Sequence, residues 1–238
     1  MQVFVSRAAL AATLLMAGAA HAAAIDTHAF TLGSVPFDPF ADIALISDDA
    51  GAARFSLDGL ARGLQSSIDS TGQPWASADS PWQNFYDITV KDGYRVTGIT
   101  VTGTFDGRLA PVAGGRADND IGLAFLAWPP GNAPVWSTSA RATTLSGQQS
   151  WTIETGTTAL DGNFLLSFLG SASTYAASIP EQGDWLGSAA SVGAQNLVLT
   201  VNVAPVPEPQ TWLMLLVGIA AAGAWRGRVS VPRNAARR

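Results

Sequence analysis

Short runs in which every second residue is apolar recur along the chain, and they limit the fold more than any other feature. They include residues 121–125, 151–153, 164–168 and 197–203. A period of two is typical of β-strands that bury one face. Turn-forming residues separate the runs, at Asp106-Gly107, Gly114-Gly115, Pro129-Pro130-Gly131-Asn132, Asp161-Gly162-Asn163 and Gly183-Asp184. The sequence therefore predicts an all-β fold, an antiparallel β-sandwich of the jelly-roll or immunoglobulin-like kind, and leaves the topology open.

One pair of runs, Asp87–Val90 and Tyr94–Phe105, flanks the tripeptide Lys91-Asp92-Gly93. Because Asp-Gly is a strong turn signal, we predict that the two runs form a β-hairpin. In the second run the apolar residues change from even to odd positions at Gly98. A period of two that changes phase at a glycine indicates a β-bulge there.

The stretch Ala50–Ile68 departs from the two-residue period. Its apolar residues at positions 57, 60, 64 and 68 have a helix-compatible spacing, but Gly51, Gly59 and Gly63 weaken a helix. We therefore predict a loop or a short helix in this stretch.

The first 23 residues predict a secretory signal peptide. Arg7 supplies an early positive charge, an apolar and small-residue run extends from Ala8 to Ala20, and Ala20-His21-Ala22 fits an A-x-A cleavage site. The predicted division of the chain is a signal peptide at residues 1–23, a β-sandwich body at 24–204 and a C-terminal segment at 205–238.

Charge and cysteine content narrow the function of the body. Between Ile25 and Val206 there are seven Lys or Arg residues against seventeen Asp or Glu residues, a formal net charge of −10. An acidic surface repels phosphate backbones, so nucleic acid is not an expected partner. The chain has no cysteine, which removes disulfides, a thiol nucleophile and Cys-based metal sites.

The C-terminal segment has three successive parts. Ala204–Pro209 contains three prolines and predicts a stiff linker. Residues 212–225 are apolar and predict a single transmembrane helix of about 21 Å, which is short for a hydrocarbon core of about 30 Å. Arg226 and Arg228 begin an arginine-rich end that predicts a membrane stop on the cytoplasmic side.

The order of Val206-Pro207-Glu208-Pro209, an apolar run and an arginine-rich end resembles the PEP-CTERM protein-sorting signal of Gram-negative bacteria. The resemblance implies an exported protein, held transiently in the inner membrane by the C-terminal helix. It also implies recognition by an exosortase-type membrane transpeptidase, cleavage near Pro-Glu-Pro, and release to the cell surface or the extracellular space. The other interpretation of this segment is an ordinary C-terminal membrane anchor.

Proteins with this signal are associated with exopolysaccharide and biofilm, so the resemblance also bears on function. We expect a non-enzymatic structural or adhesive protein with exopolysaccharide as a partner. The alternative is a secreted carbohydrate-active hydrolase that uses two Asp or Glu carboxylates. The chain has two histidines, and His21 belongs to the signal peptide. His28 is therefore the one histidine left in the body for a Ser-His-Asp arrangement, and we predict no catalytic residue.

Two groups of body residues are candidates for ligand contact. Asp118-Asn119-Asp120 follows Gly114-Gly115 and offers oxygen atoms in a predicted turn, so calcium is a candidate cofactor, although such residues are also common in turns. Trp75 and Trp82 lie in a stretch rich in Pro, Ser and Asp. Exposed tryptophan rings stack on sugar rings, so both are candidates for carbohydrate contact; the alternative is that they fill the ends of the core.

Overall fold

The computed structural model describes residues 24–34, 42–129, 134, 136–157, 159–207, 214 and 216–220. Strands occupy most of the described body, with one short helix among them. In chain order the elements are β1 (Ile25–Asp26), β2 (Phe30–Ser34), β3 (Ala44–Asp49), β4 (Ala52–Ser56), α1 (Asp58–Gly63), β5 (Gln65–Asp69), β6 (Trp75–Val90), β7 (Tyr94–Ala110), β8 (Arg116–Trp128), β9 (Trp136–Thr143), β10 (Gly147–Glu154), β11 (Asn163–Ala177), β12 (Ile179–Glu181), β13 (Asp184–Leu186) and β14 (Ala189–Pro205).

The long strands form two antiparallel sheets. Sheet A has the order β1-β2-β6-β11-β8-β9, and sheet B has the order β10-β7-β14-β4-β3 with β5 also beside β14. Eight strands form the body of the two sheets, and they can be lettered along the chain as B (β4 with β5), C (β6), D (β7), E (β8), F (β9), G (β10), H (β11) and I (β14). With these letters sheet B has the order B-I-D-G and sheet A the order C-H-E-F. This is the strand order of a jelly roll. The predicted antiparallel sandwich is confirmed, and its topology is the jelly-roll alternative.

Alternate side chains of the two sheets meet in one apolar core. Phe125 and Phe168 of sheet A and Phe55 and Phe105 of sheet B are fully buried. The ring centroids of Phe30 and Phe55 lie 6.0 Å apart and join the two layers. In a chain without cysteine, this burial of apolar surface supplies most of the stability of the fold.

The predicted hairpin of Asp87–Val90 and Tyr94–Phe105 is wrong, although both runs are strands. β6 pairs with β2 and β11 in sheet A, whereas β7 pairs with β10 and β14 in sheet B. The turn between them therefore carries the chain from one sheet to the other. Of its two central residues, only Gly93 has a positive φ, at 83°. A type I′ hairpin turn needs positive φ at both central residues, whereas a turn with one at the second position splays the flanking strands.

The predicted bulge at Gly98 is confirmed. Asn202 of β14 lies opposite Gly98, and the next residue, Val203, lies opposite Val96. Thr97 is therefore the extra residue on β7. The bulge explains why the apolar residues change phase within one continuous strand.

The stretch predicted as a loop or a short helix contains α1, flanked by strands on both sides. α1 interrupts the first strand of the jelly roll between β4 and β5. Leu57 continues the pairing up to the helix, since its N–H donates to the Leu197 carbonyl at 3.0 Å. Leu57, Leu60 and Leu64 are fully buried, which explains the helix-compatible spacing of this stretch.

Strand β1 and the start of the C-terminal linker lie at the same end of the sandwich. β14 ends at Pro205, opposite Tyr94, and the N–H of Val206 donates to the Gly93 carbonyl at 2.8 Å. Lys91 of the same turn forms an ion pair of 2.9 Å with Asp26 of β1. We call the end formed by the turn at residues 91–94 the exit end. The opposite end, where β11 stops and β14 begins, is the distal end.

Several predictions for the termini lie outside the described residues: the signal peptide at 1–23, Glu208 and Pro209 of the sorting motif, and Arg226 and Arg228. Within the predicted helix at 212–225, Met214 and residues 216–220 are helical. The large apolar side chains among these positions, Met214, Leu216, Val217 and Ile219, are each at least 56% exposed. Over the described residues, no helix has both the length and the apolar character needed to cross a membrane.

Candidate functional site

A shallow depression of about 510 Å³ lies on the outer face of sheet A at the distal end. Strands β6, β11 and β8 are in register there, and every second residue of each faces outward. The cross-strand rows are Ser77, Tyr175 and Asp118, then Asp79, Ser173 and Asp120, and the row that borders the depression is Trp75, Ala177 and Arg116. We call this group of side chains the distal site.

Two aromatic side chains of the distal site lie on neighbouring strands. Trp75 is 58% exposed, and Tyr175 is half-buried. They occupy diagonal positions of the β6–β11 ladder, a spacing that long and aromatic side chains bridge. The Arg116 guanidinium lies over the Tyr175 ring, with its carbon 5.8 Å from the ring centroid. The site thus offers flat apolar surface beside hydrogen-bonding groups.

Paired charges surround the aromatic residues. Arg116 Nε donates to the carboxylate of Asp118. Arg141 donates to Asp120 Oδ2 through Nε at 3.0 Å and through Nη2 at 2.6 Å. The hydrogen bond with Asp120, and secondly its charge, raises the pKa of the Arg141 guanidinium above its ordinary value. These pairs fix planar, charged hydrogen-bonding groups at the rim of the depression.

A buried serine cluster supports the loops next to the distal site. Ser188 N–H donates to Ser70 Oγ at 3.0 Å, and Ser188 Oγ donates to the Ala177 carbonyl at 2.7 Å and accepts from Val112 N–H at 3.1 Å. Ser178 Oγ donates to the Ser70 carbonyl at 2.7 Å. These bonds tie the segment that leads into β6 to the segment that leaves β11. They therefore fix the ends of the two strands that carry the aromatic residues.

The three residues proposed for calcium lie within strand β8 and not in a turn. Strand alternation directs Asp118 and Asp120 outward and Asn119 inward, where it is 4% exposed. Asn119 Nδ2 donates to the carbonyls of Leu145 at 2.9 Å and Ser191 at 2.8 Å, and its Oδ1 accepts from Leu145 N–H at 2.6 Å. The structure therefore does not bring the three oxygen donors together. In the part of the chain that the structure describes, no cluster of three His, Cys, Asp or Glu residues is placed to hold a metal ion; calcium binding stays a prediction.

The two tryptophans proposed for carbohydrate contact lie on opposite faces of β6. Trp75 faces outward, whereas Trp82 is 8% exposed and belongs to the core. The Trp82 Nε1 atom is buried and has no hydrogen-bond partner among the described residues. An odd residue and an even residue of one regular strand cannot share a face, so Trp82 is removed from the site and Trp75 is kept.

The sequence interpretation missed Tyr175, Arg116, Arg141 and Asp79. Their assembly depends on the register of β6, β8 and β11, which no local pattern reveals. One signal was present: Ser171, Ser173 and Tyr175 occupy odd positions and Ala172 and Ala176 occupy even ones, although Thr174 interrupts the pattern. That alternation predicts a strand with Tyr175 on its solvent face.

Three carboxylates line the depression, and the hydrolase alternative depends on whether two of them are free to act together. Asp118 and Asp120 are each held by an arginine, whereas Asp79 forms no ion pair among the described residues. Glu154 and Glu181 are exposed at the ends of β10 and β12. A glycoside hydrolase needs one carboxyl group that gives a proton and a second that acts as base or nucleophile. Since two of the three carboxylates are paired with arginines, the described part of the depression holds one unpaired carboxylate and not two.

Residues 205–229 match the family model described as the PEP-CTERM protein-sorting motif. The chain carries a PEP-CTERM sorting motif. This motif implies an exported protein that an exosortase recognises. Pro205 is both the first matched residue and the last residue of β14, so the PEP-CTERM motif begins on the folded body itself.

Other comparisons add little to the motif. No curated protein matches the chain. Among solved structures, TmCBM61 in complex with β-1,4-galactotriose is 10% identical over 66% of this chain and 89% of that chain, with a TM-score of 0.21. A structure described as CBM4 structure and function is 16% identical over 47% and 71% of the two chains, with a TM-score of 0.19. The infectious bursal disease virus Gt strain structure is 13% identical over 74% and 47%, with a TM-score of 0.22. These scores are too low to support an argument about fold or ligand.

Proposed function

We propose that the protein is an exported cell-surface protein that binds polysaccharide at the distal site. The observation that carries this proposal is the grouping of exposed Trp75 and half-buried Tyr175 with the fixed pairs Arg116–Asp118 and Arg141–Asp120. Pyranose rings have apolar faces that stack on aromatic rings and hydroxyl groups that bind planar charged side chains. A structural or adhesive role within exopolysaccharide or biofilm follows from such binding.

The position of the distal site suits a protein attached at its other end. Asp79 of the site and Val90 beside the exit end are eleven residues apart on β6, about 36 Å at the rise of an extended strand. The sorting motif leaves from the exit end. A body held at its exit end therefore presents the distal site away from the membrane.

The C-terminal segment acts, in this proposal, as a temporary membrane anchor. Six residues separate Pro205 from Trp212, so an extended linker reaches at most about 25 Å from the body. Exposed apolar side chains on the described helical residues support burial in lipid, and Arg226 and Arg228 supply the cytoplasmic stop. The exosortase then cleaves near Pro-Glu-Pro and passes the body to the cell surface or the extracellular space.

Binding of full-length protein in detergent to β-1,4-galactan, laminarin and xyloglucan tests the distal site. We expect the double variant Trp75→Ala/Tyr175→Ala to weaken binding at least tenfold, because stacking contributes about 1 kcal/mol or more per ring. Trp128→Ala is the matched control, since Trp128 is exposed on the same face of sheet A but at the other end of β8. Absence of binding to all three polymers would refute the proposal. Release of new reducing ends would favour the hydrolase alternative.

A further inference from the structure

A second groove lies on the outer face of sheet B, on the opposite side of the sandwich from the distal site. It consists of two depressions of about 490 and 460 Å³ that share Ser67 and Ser191. Both run along β14 between its neighbours β5 and β7. We call this feature the sheet B groove.

The register of three strands explains the shape of the groove. The outward residues of β14 are short: Ala189, Ser191 and Gly193. Four of their six partners have longer side chains, namely Arg108 and Asp106 on β7 and Asp69 and Gln65 on β5, whereas Ala110 and Ser67 are short. Gln148 of β10 extends the wall opposite Asp106. Short side chains on the central strand between longer ones on its neighbours produce a trough about 13 Å long.

The walls of the trough offer hydrogen bonds suited to hydroxyl groups. Gln65 and Gln148 supply amide donors and acceptors, Arg108 supplies donors and Asp106 supplies acceptors. Among the described residues, neither Arg108 nor Asp106 forms an ion pair. Asp69 is different: it accepts hydrogen bonds from the hydroxyl and N–H groups of Thr71, which lower its pKa. Because carboxylates lie on both sides of Arg108, the groove favours a neutral, hydroxyl-rich chain over an anionic one.

We propose that the sheet B groove is a second binding site for a neutral polysaccharide and that the protein thereby bridges two polysaccharide chains. The inference rests on the proposed function, since it assigns a further site to the same class of ligand. The outer faces of the two sheets point in opposite directions, and the packed core between them is about 10 Å thick. One short oligosaccharide therefore cannot occupy both sites, and two occupied sites join two chains.

Gly193 allows the groove to be filled with little disturbance of the fold. A Cβ atom added there meets Gln65 Cγ at 3.4 Å and the Leu64 carbonyl oxygen at 3.7 Å, which are ordinary contacts. Gly193→Trp places a large ring on the floor of the trough. Gly33→Trp is the matched control, because Gly33 lies on β2 of sheet A, away from the groove, and nothing among the described residues lies within 4 Å of a Cβ atom added there. The double variant Gln65→Ala/Gln148→Ala removes wall groups without adding volume and covers the case in which Gly193→Trp fails to fold.

Calorimetric titration with galactotetraose, cellotetraose and laminaritetraose measures the number of sites on the full-length protein. We expect two sites per chain for the wild type and for Gly33→Trp, and one site for Gly193→Trp and for Trp75→Ala/Tyr175→Ala. With the intact polymers, each one-site variant should still bind but should cross-link the chains at least tenfold less, measured as the rise in solution viscosity.

The outcomes separate this inference from the proposed function. A single site in the wild type that disappears in Trp75→Ala/Tyr175→Ala would overturn the second site and leave the distal site intact. Two sites that persist in folded Gly193→Trp and in Gln65→Ala/Gln148→Ala would also overturn it. Absence of any binding by the wild type would overturn the proposed function itself.

Discussion

The replacement Asn119→Ala tests whether this side chain holds the two sheets together. Asn119 lies on β8 of sheet A and binds the Ser191 carbonyl of β14 in sheet B and both backbone groups of Leu145 between β9 and β10. Removal of the amide deletes three hydrogen bonds and leaves their partly buried backbone partners unsatisfied. At about 1 kcal/mol for each lost bond, with an added cost for the unsatisfied groups, the expected loss is about 4 kcal/mol.

That loss is a large part of the stability of a single domain, which is about 5–15 kcal/mol. For a body of this size it corresponds to a fall in Tm of about 8–16 °C. Thermal unfolding of the full-length protein, followed by circular dichroism with and without calcium, measures it. Asn163→Ala is the matched control because Asn163 is exposed at the start of β11, and its Tm should not change.

Two results would contradict this explanation of Asn119. A fall in Tm below about 3 °C would mean that the three bonds contribute little. A rise in Tm on calcium addition that is present in the wild type and absent in Asn119→Ala would return Asn119 to the role of a metal ligand.

Three further predictions concern stability. Ser188→Ala should lower the free energy of unfolding by about 2 kcal/mol in urea titration, because it leaves partly buried backbone groups unsatisfied; a change below about 0.5 kcal/mol would contradict a stabilising role of the serine cluster. Gly103→Ala should cost about 1–3 kcal/mol, since its Cβ would lie 2.6 Å from the Trp151 ring, and an unchanged urea midpoint would argue against that contact. The pKa of Asp69 is lowered in the folded state. The ionised side chain therefore contributes to the free energy of unfolding above its unfolded pKa near 3.8, and this contribution is lost as the pH falls through the folded-state pKa. The stability difference between wild type and Asp69→Asn should therefore shrink as the pH falls from about 5 toward 2, and a difference that stays constant over this range would refute this assignment.

Local signals in the sequence were sufficient for the strands and for the bulge at Gly98, because a change of phase is visible within one run. The turn at Asp92-Gly93 could also be predicted, but the strands that pair with β6 and β7 on either side of it could not. β6 pairs with β11, more than seventy residues later in the chain, and such distant pairing is decided by the packing of the whole core. The same limit hid the jelly-roll strand order.

Only part of the distal site could be predicted from the sequence, for the same reason. Trp75 could be proposed from its sequence context, whereas Tyr175 and Arg116 join it only through the register of β6, β11 and β8. The outward position of Asp118 and the buried position of Asn119 could have been predicted from the sequence. Extending the alternation of Ile121 and Leu123 backward places Asn119 on the buried face, and treating Gly114-Gly115 as part of the same turn obscured that pattern.

Intact-mass analysis of the protein recovered with surface polysaccharide from cells that contain the sorting enzyme tests the central claim most directly. The account predicts a chain that begins near residue 24, ends near Pro207-Glu208-Pro209 and lacks residues 212–238. Recovery only from the membrane fraction, with a mass that still includes the arginine-rich end, would contradict it.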